Sequence, residues 1–99
     1  MKYTLQSTKT FSRWLSGLKD RTVKNQLLSR LARVENGNFG DTKALSDDLF
    51  ELRCFFGGGL RVYYTIHQQQ VVLLLVGGNK SSQWRDIEKA KAILVSLEN

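Results

Sequence analysis

The sequence contains no proline, one cysteine and one histidine. Without proline, the turns fall to glycine, asparagine, aspartate and serine. A lone cysteine builds no disulfide framework, which fits a reducing cytoplasm. One histidine, one cysteine and scattered carboxylates give no metal-ligand spacing. They support neither a Ser-His-Asp nor a Cys-His nucleophile. No apolar run is long: Val71 to Val76 is far too short to cross a bilayer, and nothing reads as a signal peptide. Acidic residues are also scarce, nine against fifteen Lys and Arg, for a net charge of +6. A chain of 99 residues, 41% of them hydrophobic, reads as one folded domain spanning 1–99. Its charge favours phosphate-rich or acidic partners.

The centre of the pattern is Glu51 to Lys80, ELRCFFGGGLRVYYTIHQQQVVLLLVGGNK. Period-two alternation predicts three consecutive strands, Phe50 to Phe56, Leu60 to His67 and Val71 to Val76. Phe50, Leu52, Cys54 and Phe56 share a face with Leu60, Val62, Tyr64 and Ile66. Glu51, Arg53, Arg61 and Tyr63 share the other. Gly57-Gly58-Gly59 is a turn, since glycine accepts positive φ, and it is no P-loop because no Gly-Lys-Ser/Thr follows. A three-residue glycine loop pairs Phe56 with Leu60, and so Arg53 with Tyr63. A one-residue slip would bury an arginine, at roughly several kcal/mol per unpaired ion. The hairpin therefore has an apolar side and a cationic, aromatic side.

Around it, Lys2 to Ser7 alternates as a first strand. Ser7 or Thr8 caps a helix striped by Phe11, Trp14, Leu15 and Leu18. Asp20 caps a second, Arg21 to Glu35, with Val23, Leu27, Leu28, Leu31 and Val34 inside and Arg21, Lys24, Arg30 and Arg33 outside. Asn36-Gly37 ends it. A loop with a short extended piece at Lys43 to Leu45 leads to the strands. Gly77-Gly78-Asn79 breaks the third strand. Ser81 or Ser82 caps a last helix, Gln83 to Leu97, with Ile87, Ala90, Ile93, Leu94 and Leu97 inside. The order β-α-α-β-β-β-α describes an α+β domain, an N-terminal αα-hairpin and a C-terminal helix covering the apolar face of a small, mainly antiparallel sheet. Cys54 belongs to the core and His67 to the surface. Arg53 and Arg61 stand out, because two guanidinium groups on one strand face suit phosphate oxygens. Glu51 and Tyr63 are their neighbours, Lys80 follows the third strand, and Trp84 can stack on a base.

Four stretches, FSRWLSGLKD, RLARVENGNFGDTKAL, ELR…GGGLRVYY and LLLVGGNKSSQ…DIEKAK, together resemble the HigB-like addiction-module killer proteins of the RelE/ParE toxin superfamily. The resemblance implies a RelE-like fold and the toxin of a bacterial or phage-derived type II toxin–antitoxin module. It implies a cytoplasmic, ribosome-dependent mRNA endonuclease working without metal or cofactor, in which a 2′-hydroxyl attacks the adjacent phosphate. Arg61 matches the arginine that such toxins place at the phosphate. Arg53, Lys80, Glu51 and Tyr63 complete the candidate catalytic set, and Lys43, Gln83 and Trp84 are candidate RNA contacts. The C-terminal region holds no Tyr or His of the kind RelE-like enzymes often use, which leaves the general base unassigned. Implied partners are the ribosome, mRNA and an antitoxin of helix-turn-helix type from the adjacent gene, with operator DNA bound only through that complex and no membrane. The alternatives are a ParE-like, non-hydrolytic DNA gyrase inhibitor and a phage remnant that retains only antitoxin or DNA binding.

Overall fold

The computed structural model describes residues 2–98. Among them, five strands form one mixed sheet flanked by three helices: β1 (Thr4–Ser7), α1 (Lys9–Ser16), α2 (Arg21–Glu35), β2 (Thr42–Ala44), β3 (Phe50–Arg53), β4 (Arg61–His67), β5 (Val71–Gly78) and α3 (Gln83–Leu97), with a 3₁₀ turn at Lys80–Ser82. The strand order is β1-β5-β4-β3-β2. β1 runs parallel to β5, and the other neighbours are antiparallel. The extended piece expected near Lys43 is thus a fourth strand of the antiparallel run, at the sheet edge.

The helix boundaries follow their caps. Thr8 Oγ1 accepts from the Phe11 amide at 3.0 Å and donates to the Leu75 carbonyl at 2.7 Å, so one hydroxyl both starts α1 and fastens it to β5. Asp20 Oδ1 accepts from the Val23 amide and starts α2. At the far end, Gly37 has φ +88°, and the Asn38 and Gly37 amides donate to the Arg33 and Val34 carbonyls. That is the double closure a left-handed glycine permits.

The sheet is covered on both faces, where the sequence reading placed every helix on one. Phe11, Leu27, Leu31 and Val34 pack against Leu52, Val62, Tyr64, Val72 and Leu74. On the opposite face Leu49, Tyr63, Leu75 and Val76 meet Ala90 of α3, with Ile87, Ile93 and Leu94 around them. A bulge makes this second core possible: Tyr63 pairs with Val76 but Tyr64 with Leu74. The extra residue on β5 lets Leu75 and Val76 both serve the α3 side. Leu28 and Leu97, read as inner positions, are more than two-fifths exposed. Leu28 lies one step off the Leu27–Leu31–Val34 line, and Leu97, the last residue of α3, lines an open groove with Val71, Leu73 and Leu94.

Two further expectations change. The first central strand stops at Arg53 rather than Phe56, and Arg53 pairs with Arg61, not Tyr63. Residues 54–60 form a wider loop, because Gly57, Gly58 and Gly59 all take positive φ and the Gly59 and Leu60 amides both donate to the Phe56 carbonyl. A chain coiled this tightly cannot pair Phe56 with Leu60 as a ladder rung. The two-residue shift preserves the faces but changes who sits opposite whom. Gly77 and Gly78, read as strand breakers, lie inside β5 and pair with Val62 and Arg61. Their missing side chains make room: a Cβ on Gly77 would sit 2.1 Å from the Trp14 ring, and one on Gly78 would sit 1.8 Å from Asp86 Oδ2.

Candidate functional site

The site begins as two rungs of the sheet. Lys43, Glu51, Tyr63 and Val76 are successive partners across β2, β3, β4 and β5. The next rung places Arg53, Arg61 and Gly78 side by side. Partners across a sheet project from the same face, so Lys43, Glu51, Tyr63, Arg53 and Arg61 all issue toward α3.

Glu51 lies at the bottom, 1% exposed. Its Oε2 is 3.7 Å from Arg61 Nε and accepts from Gln83 Nε2 at 2.8 Å, while its Oε1 is 3.9 Å from Arg53 Nε. One carboxylate therefore stands between two guanidinium groups and is tied to the start of α3. Arg61 donates from Nη1 to the Gly59 carbonyl at 2.9 Å, and Arg53 Nη2 pairs with Asp41 Oδ1 at 3.4 Å. Neither arginine Nε has a hydrogen-bond partner among the described residues. The arginines are held by charge, and most of their donors remain free. The Arg61 side chain is 14% exposed and that of Arg53 40%, so Arg61 is largely covered and Arg53 is the more open of the two.

Tyr63 is wholly enclosed beneath α3, and its hydroxyl has no hydrogen-bond partner among the described residues. Burial first, and then the charge of Glu51 beside it, push the phenol well above its usual pKa. It stays a neutral phenol that solvent does not reach. Asp86 is buried in the first turn of α3, where the helix dipole favours an anion. Its Oδ2 accepts from Ser82 Oγ at 2.5 Å, in the space that Gly78 leaves open. Asn79 caps the 3₁₀ turn by accepting from the Ser81 and Ser82 amides, and this fixes the segment carrying Lys80.

Of the residues singled out from sequence, the fold brings together Glu51, Arg53, Arg61, Tyr63 and Gln83. Gln83 is spent on Glu51 rather than turned outward. Lys80 and Lys43 are exposed at the rim, Lys80 with its Cβ position close to Gly59. Trp84 is 77% exposed on the first turn of α3. Sequence reasoning missed Asp41, Asp86 and the Gly59 carbonyl, none of which carries a local signal. It also placed Arg30 on the outer face of α2, whereas Arg30 is buried and donates to the Asp41 carbonyl at 3.3 Å. Cys54 is core, as expected, and burial pushes its thiol pKa up. Among the described residues, no three His, Cys, Asp or Glu stand close enough to hold a metal ion. No helix among them is long and apolar enough to cross a membrane.

Comparison with known proteins gives three results. The family described as phage derived protein Gp49-like (DUF891) matches residues 13–95. An uncharacterised protein of Haemophilus influenzae is 42% identical over 97 residues, covering 98% of each chain. Among solved structures, a mutant of the E. coli toxin RelE in the free state superposes with a TM-score of 0.68 at 20% identity, over 87% of this chain and 94% of that one. The Mycobacterium tuberculosis toxin–antitoxin complex RelBE2 gives 0.64 at 21% identity, over 81% and 100%. The RelE–RelB complex of Pyrococcus horikoshii gives 0.61 at 18%, over 81% and 97%. The α+β fold expected from sequence is thus the fold of RelE toxins.

Proposed function

Since the chain belongs to the phage derived Gp49-like family, we propose that it is the toxin of a type II toxin–antitoxin module, a HigB-like, metal-independent endoribonuclease that cuts mRNA on the ribosome, with residues 1–99 as a single toxin domain. The observation that carries this reading is the pair Arg53–Arg61, two guanidinium groups held side by side over the buried Glu51. A paired cation set with free donors is built for a phosphate whose charge increases.

In the proposed reaction the 2′-oxygen of one ribose attacks the adjacent phosphorus. The O2′–P bond forms as the 2′-hydroxyl gives up its proton, the P–O5′ bond breaks as O5′ takes one up, and the products end in a 2′,3′-cyclic phosphate and a 5′-hydroxyl. Arg61 and Arg53 donate to the non-bridging oxygens, which gain charge in the phosphorane, and so lower the barrier more than they tighten binding. Lys80, exposed beside Gly59, adds a third cation at the rim. Glu51 acts as a positioning residue that aims both arginines, held by Gln83 from the start of α3 and flanked by Tyr63, its partner across β3 and β4. Trp84 offers an indole face to a base and Lys43 a charge to the RNA backbone.

The partner reading rests on the same likeness. The RelE proteins of M. tuberculosis and P. horikoshii were solved bound to their antitoxins. For this cytoplasmic chain the partner is a helix-turn-helix antitoxin from the adjacent gene, drawn by the net charge of +6, with operator DNA reached through that complex.

The test is cleavage of a defined mRNA on purified ribosomes, with the new ends typed chemically. Cleavage that yields cyclic-phosphate and 5′-hydroxyl ends, persists in chelator with ribosomes kept intact, and is lost in Arg61→Ala supports the reading. Intact mRNA alongside inhibited DNA gyrase would replace it with the ParE-like activity.

A further inference from the structure

We propose that the cleft between α2 and the loop 54–59 is a second nucleotide subsite, binding an RNA phosphate at Arg30, Arg33 and Arg53 and stacking the attached base on Phe55. This rests on the endoribonuclease reading and extends its site, because Arg53 belongs to both places.

The cleft has a volume of about 310 Å³ and is lined by Arg30, Arg33, Asp41, Arg53, Phe55 and Phe56, among others. Three guanidinium groups face one carboxylate, and that carboxylate is engaged with Arg53 at 3.4 Å. Arg30 is the telling member. It is 8% exposed, pairs with no carboxylate among the described residues, and makes one hydrogen bond, to the Asp41 carbonyl. Its guanidinium lies flat against Gly40, which takes φ +61° and has no side chain to push it away; a Cβ there would come within 2.8 Å of Nη2. A buried cation without a counter-ion is costly to keep unless something else meets it. An anion entering the cleft supplies that charge.

Phe55 supplies the second half of the recognition. It is 92% exposed at the head of a loop whose ends are fixed, Cys54 donating to the Leu60 carbonyl and Gly59 and Leu60 to Phe56. An apolar ring left in water contributes nothing to the core. Beside a row of arginines it has the composition of a single-strand platform, with cations for the backbone and an aromatic face for any base. An apolar protein partner would leave the three cations unmatched, so RNA is the occupant that uses both features.

The probe is a 2′-O-methylated RNA hexanucleotide, whose blocked 2′-oxygens prevent cleavage, titrated into the full chain and followed by amide NMR. Shifts at Gly40 and Phe55 in addition to the Arg61 surroundings are expected. Phe55→Ala should weaken binding about 5- to 150-fold, the range for one lost stack, and Phe55→Trp should restore it. Arg33→Gln, at an exposed position that leaves folding intact, should reduce the salt dependence by about 0.7 in log–log slope, one phosphate contact on a single strand. Shifts confined to the Arg61 surroundings, with Phe55→Ala binding as tightly as wild type, would overturn the subsite and leave the nuclease reading standing. So would a Phe55→Ala protein that binds RNA normally but loses its antitoxin. RNA that shifts nothing overturns the subsite as well, and the ribosome cleavage assay then decides separately whether the nuclease reading falls with it.

Discussion

Arg53 and Arg61 are direct partners across the β3–β4 ladder, a position where like charges oppose each other at close range. The repulsion is offset by Glu51, two rungs further along on the same face, whose two carboxylate oxygens each face one arginine Nε. The arrangement concentrates positive charge at one point and keeps it aimed outward. A fold built only for stability would not place two cations opposite each other.

Replacing Arg61 should therefore act on catalysis and on folding together. Arg61→Ala is expected to slow mRNA cleavage by about 10²–10³, as for removal of one oxyanion donor. Arg61→Lys should recover part of the rate, since a point charge lacks the bidentate fork. The side chain is largely buried against a buried carboxylate, so Arg61→Ala should also cost about 1–3 kcal/mol, measured by denaturant titration. A folded Arg61→Ala protein cutting at wild-type rate would remove Arg61 from the mechanism.

Glu51 separates positioning from proton transfer. Glu51→Gln keeps the shape and the contact with Gln83 but removes the charge between the arginines. It should destabilise the chain by roughly 1–3 kcal/mol and lower the cleavage rate without changing the shape of the pH–rate profile. A change in the shape of that profile would mean that Glu51 carries a proton after all.

The double glycine of β5 gives a purely structural prediction. Gly77→Ala must displace the Trp14 ring from 2.1 Å, and Gly78→Ala must displace Asp86 from 1.8 Å. Overpacking of this kind costs about 1–3 kcal/mol or more. Gly77→Ala should be the worse of the two for stability, because an indole wedged in the core has less freedom than a carboxylate. Thermal melts of both variants check the order.

Tyr63 predicts an alkaline limit. Its folded pKa is raised above the ordinary phenol value of 10.0. Between the two values the unfolded chain loses the phenol proton and the folded chain keeps it, so the unfolded state binds fewer protons and stability falls as pH rises. Below pH 10 this residue contributes no slope. Tyr63→Phe should flatten the loss of melting temperature above pH 10. At pH 7 it should cost little, because the hydroxyl it removes is unpartnered. An unchanged alkaline slope in Tyr63→Phe would show that other groups carry it.

The elements that local chemistry specifies were legible in the sequence. Helix α2 has the bounds its Asp20 cap and its periodicity predict, α3 has the expected bounds although Ser82 makes no side-chain cap hydrogen bond, and the alternation at Glu51 and Arg61 assigns both to the polar face. These signals lie within a few residues of one another, where backbone geometry alone decides the outcome. Everything that depended on distant partners was decided by the tertiary structure. Three successive left-handed glycines widened the loop and moved Arg53 from Tyr63 to Arg61. Gly77 and Gly78 looked like a break until Trp14 and Asp86 were seen to occupy the space above them. Glu51 and Asp41 converge on the arginines, and Gln83 reaches Glu51 from 32 residues away. No periodicity encodes that meeting, because it follows from how α3 and the segment leading into β2 are placed against the sheet. The sequence by itself determined which face would be cationic; only the packing of α3 on that face determined that Glu51 and Tyr63 would be buried in it, with Arg61 largely covered and Arg53 left open.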